Sequence, residues 1–207
     1  MLRLFVPGFA ARPAFYRDAL GDGWTIHRPP AMRRAPTFAE RIEAVCAEVD
    51  SARGRVTLGG HSLGAALAAC VAARRPERVE RLLLVSPAGL PLVKPVSASL
   101  REFAAQAARG LYPLGELSRA LLDVASAPVA TARLARAVRS LDLRATFGAV
   151  AASGIRCDVV GCTGDTLTTV AHARAIAELA GGRYVELDVA GGHVWMLVEP
   201  TAFAAVG

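Results

Sequence analysis

The sequence predicts an α/β protein built on a mostly parallel sheet of about six strands flanked by helices. Three observations carry that expectation. Short apolar runs with strand character alternate along the chain with longer helical stretches, the pattern of repeated strand–helix units. The strand-like runs are continuously apolar, as strands covered on both faces require. The alternation is broken once, by a helix-rich stretch over residues 90–153, which reads as an insertion capping one edge of the sheet.

Leu2–Val6 reads as a buried strand stopped by Pro7-Gly8, Phe15–Leu20 as a short helix and Trp24–His27 as a second strand. Over 38–51, Phe38, Ile42, Val45 and Val49 fall on one side of a helix. Arg55–Gly59 is a third strand. Leu63–Arg74 is a helix of small and apolar residues that stops before Pro76. Leu82–Val85 is a fourth strand, closed by the turn signal Ser86-Pro87-Ala88-Gly89. Pro91, Pro95, Pro113 and Pro128 divide the insertion into helical pieces at Leu100–Leu111, Leu117–Val124 and Val129–Leu141. Val159–Cys162 is a fifth strand, Thr169–Ala180 a helix ended by Gly181-Gly182, and Tyr184–Leu187 a sixth strand. Residues 1–207 thus read as one domain, with 90–153 as a helical cap within it.

Composition narrows the function classes. With 207 residues and 53% hydrophobic residues, the chain can bury one sizeable core and is too apolar for disorder. No uninterrupted apolar run of about 18 residues exists to span a membrane. The first residues, with their apolar run broken by Pro7-Gly8, lack the form of a secretory signal, so the expected compartment is the cytoplasm. The net charge of +6 would suit an anionic partner. Lys94 is the only lysine, however, and the arginines are scattered with no aromatics interleaved, so no nucleic-acid surface is expected. Arg133, Arg136 and Arg139, with Arg119 and Arg144 nearby, read as a solvated helix face. The alternative is a contact with coenzyme A phosphates or an acidic acyl carrier protein. Cys46, Cys70, Cys157 and Cys162 form no CxxC pair, and no histidine stands at ligand spacing from them. Buried reduced thiols are expected, with no metal and no cofactor.

The chemistry centres on Gly60-His61-Ser62-Leu63-Gly64, which follows a strand and opens a helix. A turn this tight has no room for side chains at its flanks, so glycine stands there, and the serine hydroxyl is projected outward. A serine hydroxyl needs a base and a group to orient that base. Of four histidines, His27 ends an early strand, His61 lies inside the turn facing away from the serine's reaction face, and His172 falls on a helix. His193 follows the last strand in a glycine-rich loop, where a sheet of this type places its ligands, and is the expected base. Asp165, beyond the fifth strand, is the expected acid. Asp188 is the runner-up, and Asp158 enters the strand from the wrong end. Two backbone donors are expected for the oxyanion: the N–H of Leu63, and the N–H of Phe9 in the Pro7-Gly8-Phe9-Ala10 loop.

These pieces together resemble the α/β-hydrolase superfamily, in its small capped esterase- or thioesterase-like branch. Pro7-Gly8-Phe9 resembles the family's oxyanion loop, with proline for the usual histidine. Gly60–Gly64, Gly161–Asp165 and Gly192-His193 followed by Glu199-Pro200 match its other motifs. Arg75-Pro76-Glu77-Arg78-Val79 resembles the segment after its nucleophile helix. The first strand would be the family's third, and Ala205-Val206-Gly207 falls partway through what resembles its final helix. The resemblance implies the α/β-hydrolase fold and a serine hydrolase using Ser62, Asp165 and His193. The expected substrate is a small-molecule ester or acyl thioester with an apolar acyl group, held in a pocket lined by the Ala- and Leu-rich cap. The alternatives are carbon–carbon bond hydrolysis on the same three residues, or a non-catalytic binding protein.

Overall fold

The computed structural model describes residues 1–92, 108 and 113–204. Its elements are β1 (Leu2–Val6), α1 (Arg17–Leu20), β2 (Thr25–Ile26), α2 (Phe38–Ser51), β3 (Val56–His61), α3 (Leu63–Arg74) and β4 (Val79–Val85). There follow α4 (Leu114–Ser126), α5 (Pro128–Arg139), α6 (Arg144–Ser153), β5 (Arg156–Cys162), α7 (Val170–Leu179), β6 (Arg183–Leu187), α8 (Trp195–Val198) and α9 (Pro200–Ala204). The strands form one sheet in the order β2-β1-β3-β4-β5-β6, with every neighbouring pair parallel. The helix expected at Leu100–Leu111 lies, but for Ala108, outside the described residues, as do Lys94 and Ala205-Val206-Gly207.

Successive residues of a strand face opposite sides of a sheet, and here both sides are apolar. Leu4, Val6, Leu58, Leu82, Leu84 and Val159 pack with residues of α2, α3, α6 and α7. Phe5, Leu83, Val85 and Val160 face Tyr16, Trp24, Trp195, Met196 and Phe203 on the other side. This double covering is why the strands read as continuous apolar runs. Helix α3 is buried nearly all round, which its small residues allow. Helix α2 starts on a capping box that the apolar pattern alone did not disclose. The Glu40 N–H donates to Thr37 Oγ1 and the Thr37 N–H to Glu40 Oε2.

β4 and β5 both begin three residues earlier than the apolar runs suggest, because the first three residues of each include charged ones. Arg81 pairs in register with Arg156, and Leu83 with Asp158. The buried Asp158 carboxylate accepts from Arg81 Nε and Arg183 Nε, each at 2.8 Å. Burial alone would raise its pKa, but those two guanidiniums outweigh it and hold the carboxyl below the usual range. Asp158 is therefore a strut at the far end of the sheet. Helix α6 also escaped the sequence pattern: only Phe147 and Val150 of its residues are buried, too few to set a period. On α5, Leu134 and Val138 are buried while Arg133 and Arg136 are exposed. The four cysteines are free and buried, and burial pushes the Cys70 thiol up to about 11 and Cys157 to about 12. No helix among the described residues is long and apolar enough to cross a membrane.

The turn between β3 and α3 shows why its glycines are needed. A Cβ on Gly64 would lie 2.0 Å from the Val6 carbonyl oxygen, and one on Gly60 would lie 2.4 Å from the Gly64 backbone. The obstacles are backbone and cannot swing aside. Gly64→Ala is expected to cost about 3 kcal/mol or more of folding stability, measured by urea denaturation. A variant as stable as the parent would contradict this packing.

Candidate active site

Three strands deliver the candidate residues to the carboxyl end of the sheet. Ser62 sits between β3 and α3, Asp165 follows β5 and His193 follows β6. Ser62 has φ 56° and ψ −117°, a strained conformation for a residue with a side chain. Its backbone holds it there. The Ser62 N–H donates to the Val85 carbonyl, and its own carbonyl accepts from the N–H groups of Ala65, Ala66 and Ala88. Although Ser62 is the N-cap of α3, its side chain caps nothing. The hydroxyl instead lies 2.8 Å from His193 Nε2.

His193 belongs to a short 3-10 turn, Gly192–Val194, entered through Gly191 and Gly192 at φ 127° and 63°, angles that glycine alone adopts freely. Its Nδ1 is 2.9 Å from Asp165 Oδ2. A carboxylate can only accept, so Nδ1 carries the hydrogen and Nε2 is left bare to accept from the Ser62 hydroxyl. Asp165 is buried and fully partnered. Oδ1 accepts from the Leu167 and Thr168 N–H groups at 2.9 and 3.0 Å, and Oδ2 also accepts from Thr168 Oγ1 at 2.7 Å. Burial raises its pKa, but the adjacent His193 imidazole and these hydrogen bonds outweigh that and hold the carboxyl well below its usual range.

The chain after β1 turns sharply. The Ala11 N–H donates to the Gly8 carbonyl, and Ala10 takes a positive φ of 53°. Neither the Phe9 N–H nor the Leu63 N–H donates to another described residue. A hydroxyl aligned with a bare imidazole nitrogen, and an imidazole oriented by a buried carboxylate, form an arrangement suited to nucleophilic attack by the serine.

The family model described as "Alpha/beta hydrolase family" matches residues 4–206. The chain belongs to this family. Solved structures with the same fold include an N-formylmaleamic acid deformylase from Pseudomonas putida S16, at 15% identity and TM-score 0.75, covering 98% of this chain and 90% of that one. A hydrolase from Pseudomonas aeruginosa PA01 is 24% identical with TM-score 0.67, covering 99% and 87%. An enol-lactonase from Burkholderia xenovorans LB400 is 21% identical with TM-score 0.65, covering 99% and 88%. At these identities the likeness is one of fold. No curated protein matches the chain.

The hydrolase brings Ser62, Asp165 and His193 together and leaves the other candidates apart. Asp188 accepts from Thr163 Oγ1 at 2.7 Å, and His27 is engaged with Glu48 at 2.6 Å. The His61 side chain makes no hydrogen bond to Ser62; its Nε2 lies 2.8 Å from the His193 carbonyl oxygen. His172, on α7, is half-buried. Its Nε2 is buried without a hydrogen-bond partner among the described residues, and the ring lies within electrostatic reach of Asp165 and His193. Among the described residues no cluster of three or more histidine, cysteine or acidic groups could hold a metal ion.

Thr168 was not singled out from sequence; its position three residues after Asp165, the spacing at which a capping side chain meets a backbone N–H, was the available signal. Thr168→Val removes one donor from a buried carboxylate. The expected loss is about 1–3 kcal/mol of stability, read from urea melts. A Thr168→Ser variant should recover most of it.

Proposed function

We propose that this hydrolase cleaves carboxylic esters or thioesters of apolar acyl groups by a serine acyl-enzyme mechanism. The observation that carries the proposal is the unbroken line from Asp165 Oδ2 through His193 to Ser62 Oγ, with contacts of 2.9 and 2.8 Å. His193 Nε2 takes the hydroxyl proton as Ser62 Oγ attacks the substrate carbonyl. The Phe9 and Leu63 N–H groups stabilise the resulting oxyanion. His193 then gives its proton to the departing alkoxide or thiolate, leaving Ser62 acylated. Water, deprotonated by the same imidazole, releases the acid and restores the serine. Asp165 keeps the imidazole in the tautomer that can accept, and stabilises it when charged.

The helices between β4 and β5 stand as the cap that selects the acyl group. Leu117 and Ala120 of α4 pack with the aromatic cluster beneath it, which favours an apolar group over a charged one. The shared fold includes enzymes described as an esterase and a thioesterase domain, a likeness consistent with this chemistry. The test is hydrolysis of p-nitrophenyl esters and acyl thioesters of increasing chain length by the folded protein. Turnover with a chain-length optimum is expected. Failure on every ester and thioester would overturn the proposal and favour carbon–carbon cleavage or binding without turnover.

A further inference from the structure

The loops that follow β1 and β6 come from strands separated by three others in the sheet, yet both must present a reacting group to Ser62. Between them stands the ring of His61, the last residue of β3. It is buried, as is Tyr16. His61 Nε2 lies 2.8 Å from the His193 carbonyl oxygen and Nδ1 lies 2.9 Å from Tyr16 Oη. Tyr16 Oη in turn accepts from the Gly8 N–H at 3.1 Å. A carbonyl only accepts, so Nε2 carries the hydrogen. Burial pushes the imidazole pKa down to about 3, so the ring is neutral and Nδ1 is bare. It must accept from the Tyr16 hydroxyl, whose oxygen takes the Gly8 hydrogen. The donors run one way, from the Gly8 N–H through Tyr16 and His61 to the His193 carbonyl.

The packing of the turn explains glycine at 60 and 64 but makes no demand for histidine at 61. Gly8 is also explained by this chain of bonds, since a Cβ there would lie 3.1 Å from His61 Nδ1 and 3.3 Å from Tyr16 Oη. At its other end the His61 and His193 rings lie with centroids 4.9 Å apart, tilted by 39°. The His193 loop enters through two glycines at positive φ, and the His61 bond to its carbonyl is an additional tie on the height of the imidazole. We propose that Tyr16 and His61 are positioning residues, a hydrogen-bonded strut that holds the oxyanion loop at Gly8-Phe9 and the imidazole of His193 at a set spacing across Ser62. This rests on the acyl-enzyme reading of the site.

The test compares Tyr16→Phe, His61→Leu and His61→Gln with the parent. Active sites are titrated to completion with a fluorophosphonate, and kcat per titrated site and KM are measured on p-nitrophenyl butyrate. Misplacing a reacting group by about 1 Å costs on the order of a hundredfold. Tyr16→Phe and His61→Leu should therefore lose at least about tenfold in kcat per site, with KM within about twofold of the parent. Glutamine at 61 presents an N–H toward the His193 carbonyl and should recover most of the loss. A purely structural role would lower the number of titratable sites and the melting temperature but not kcat per site. Should His61→Leu fail to fold, Tyr16→Phe, which removes one oxygen atom, decides. A loss short of tenfold in that variant overturns the strut alone. A parent that never reacts with the probe overturns the Ser62 mechanism and the strut's role with it.

Discussion

Ser62→Ala is expected to lower kcat on p-nitrophenyl esters by about a million-fold, as removal of a serine nucleophile does elsewhere, while the protein remains folded. The two halves of that expectation have separate causes. The catalytic loss follows because the Ser62 hydroxyl lies 2.8 Å from His193 Nε2, placed to give that nitrogen its proton. The preserved fold follows because Ser62 holds the turn through its backbone: its N–H to Val85, and its carbonyl to Ala65, Ala66 and Ala88. The side chain caps no helix end, so stability should change by about 1 kcal/mol or less. Ester assays, fluorophosphonate labelling and a thermal melt measure the three quantities. A Ser62→Ala protein that still turns over at a few per cent of the parent rate would place the nucleophile elsewhere.

Asp165→Asn should cost about 10⁴ in kcat at neutral pH, through a change of tautomer rather than of shape. In the parent, Oδ1 accepts two backbone hydrogens, from Leu167 and Thr168. Asparagine keeps those two bonds by placing its amide oxygen there, which turns its NH₂ toward His193. An N–H facing Nδ1 makes that nitrogen the acceptor and moves the imidazole hydrogen to Nε2. The bare nitrogen that would accept the Ser62 proton is then lost. Because the effect lies in proton transfer, KM should change little, and kcat and kcat/KM should fall together. An asparagine variant with kcat within tenfold of the parent would sink this account of the buried carboxylate. Asp188→Asn, whose carboxylate lies with Thr163, serves as the control and should leave kcat within about twofold.

The parts of the fold that could be read from sequence are those whose cause is local. Leu2–Val6, Phe38–Ser51 and Leu63–Arg74 have the same bounds in the pattern and in the structure, because apolar periodicity, a proline or a glycine defines each end. Strands with polar ends were read short. Glu80, Arg81 and Asp158 look like loop residues until Arg81 and Arg183 are seen around Asp158. A charge can enter a buried strand when its partner comes from a neighbouring one, and that partner is invisible along the chain.

The candidate site divides the same way. Gly60-His61-Ser62-Leu63-Gly64 declares itself because the sterics of one turn dictate its glycines, and Asp165 and His193 could be named because parallel strands bring their carboxyl ends to one edge. By itself the sequence determined the layered α/β architecture, the tight turn that bears Ser62 and the short set of groups able to serve it. Only the tertiary structure decided which groups meet: that Thr168 completes the shell of Asp165, that His172 approaches from α7, and that Tyr16 and His61 link the loops after β1 and β6. Those contacts span from a few residues to more than a hundred along the chain. Hydrogen bonds are fixed by distance and angle within a few tenths of an ångström, and that precision belongs to the packed sheet rather than to any stretch of sequence.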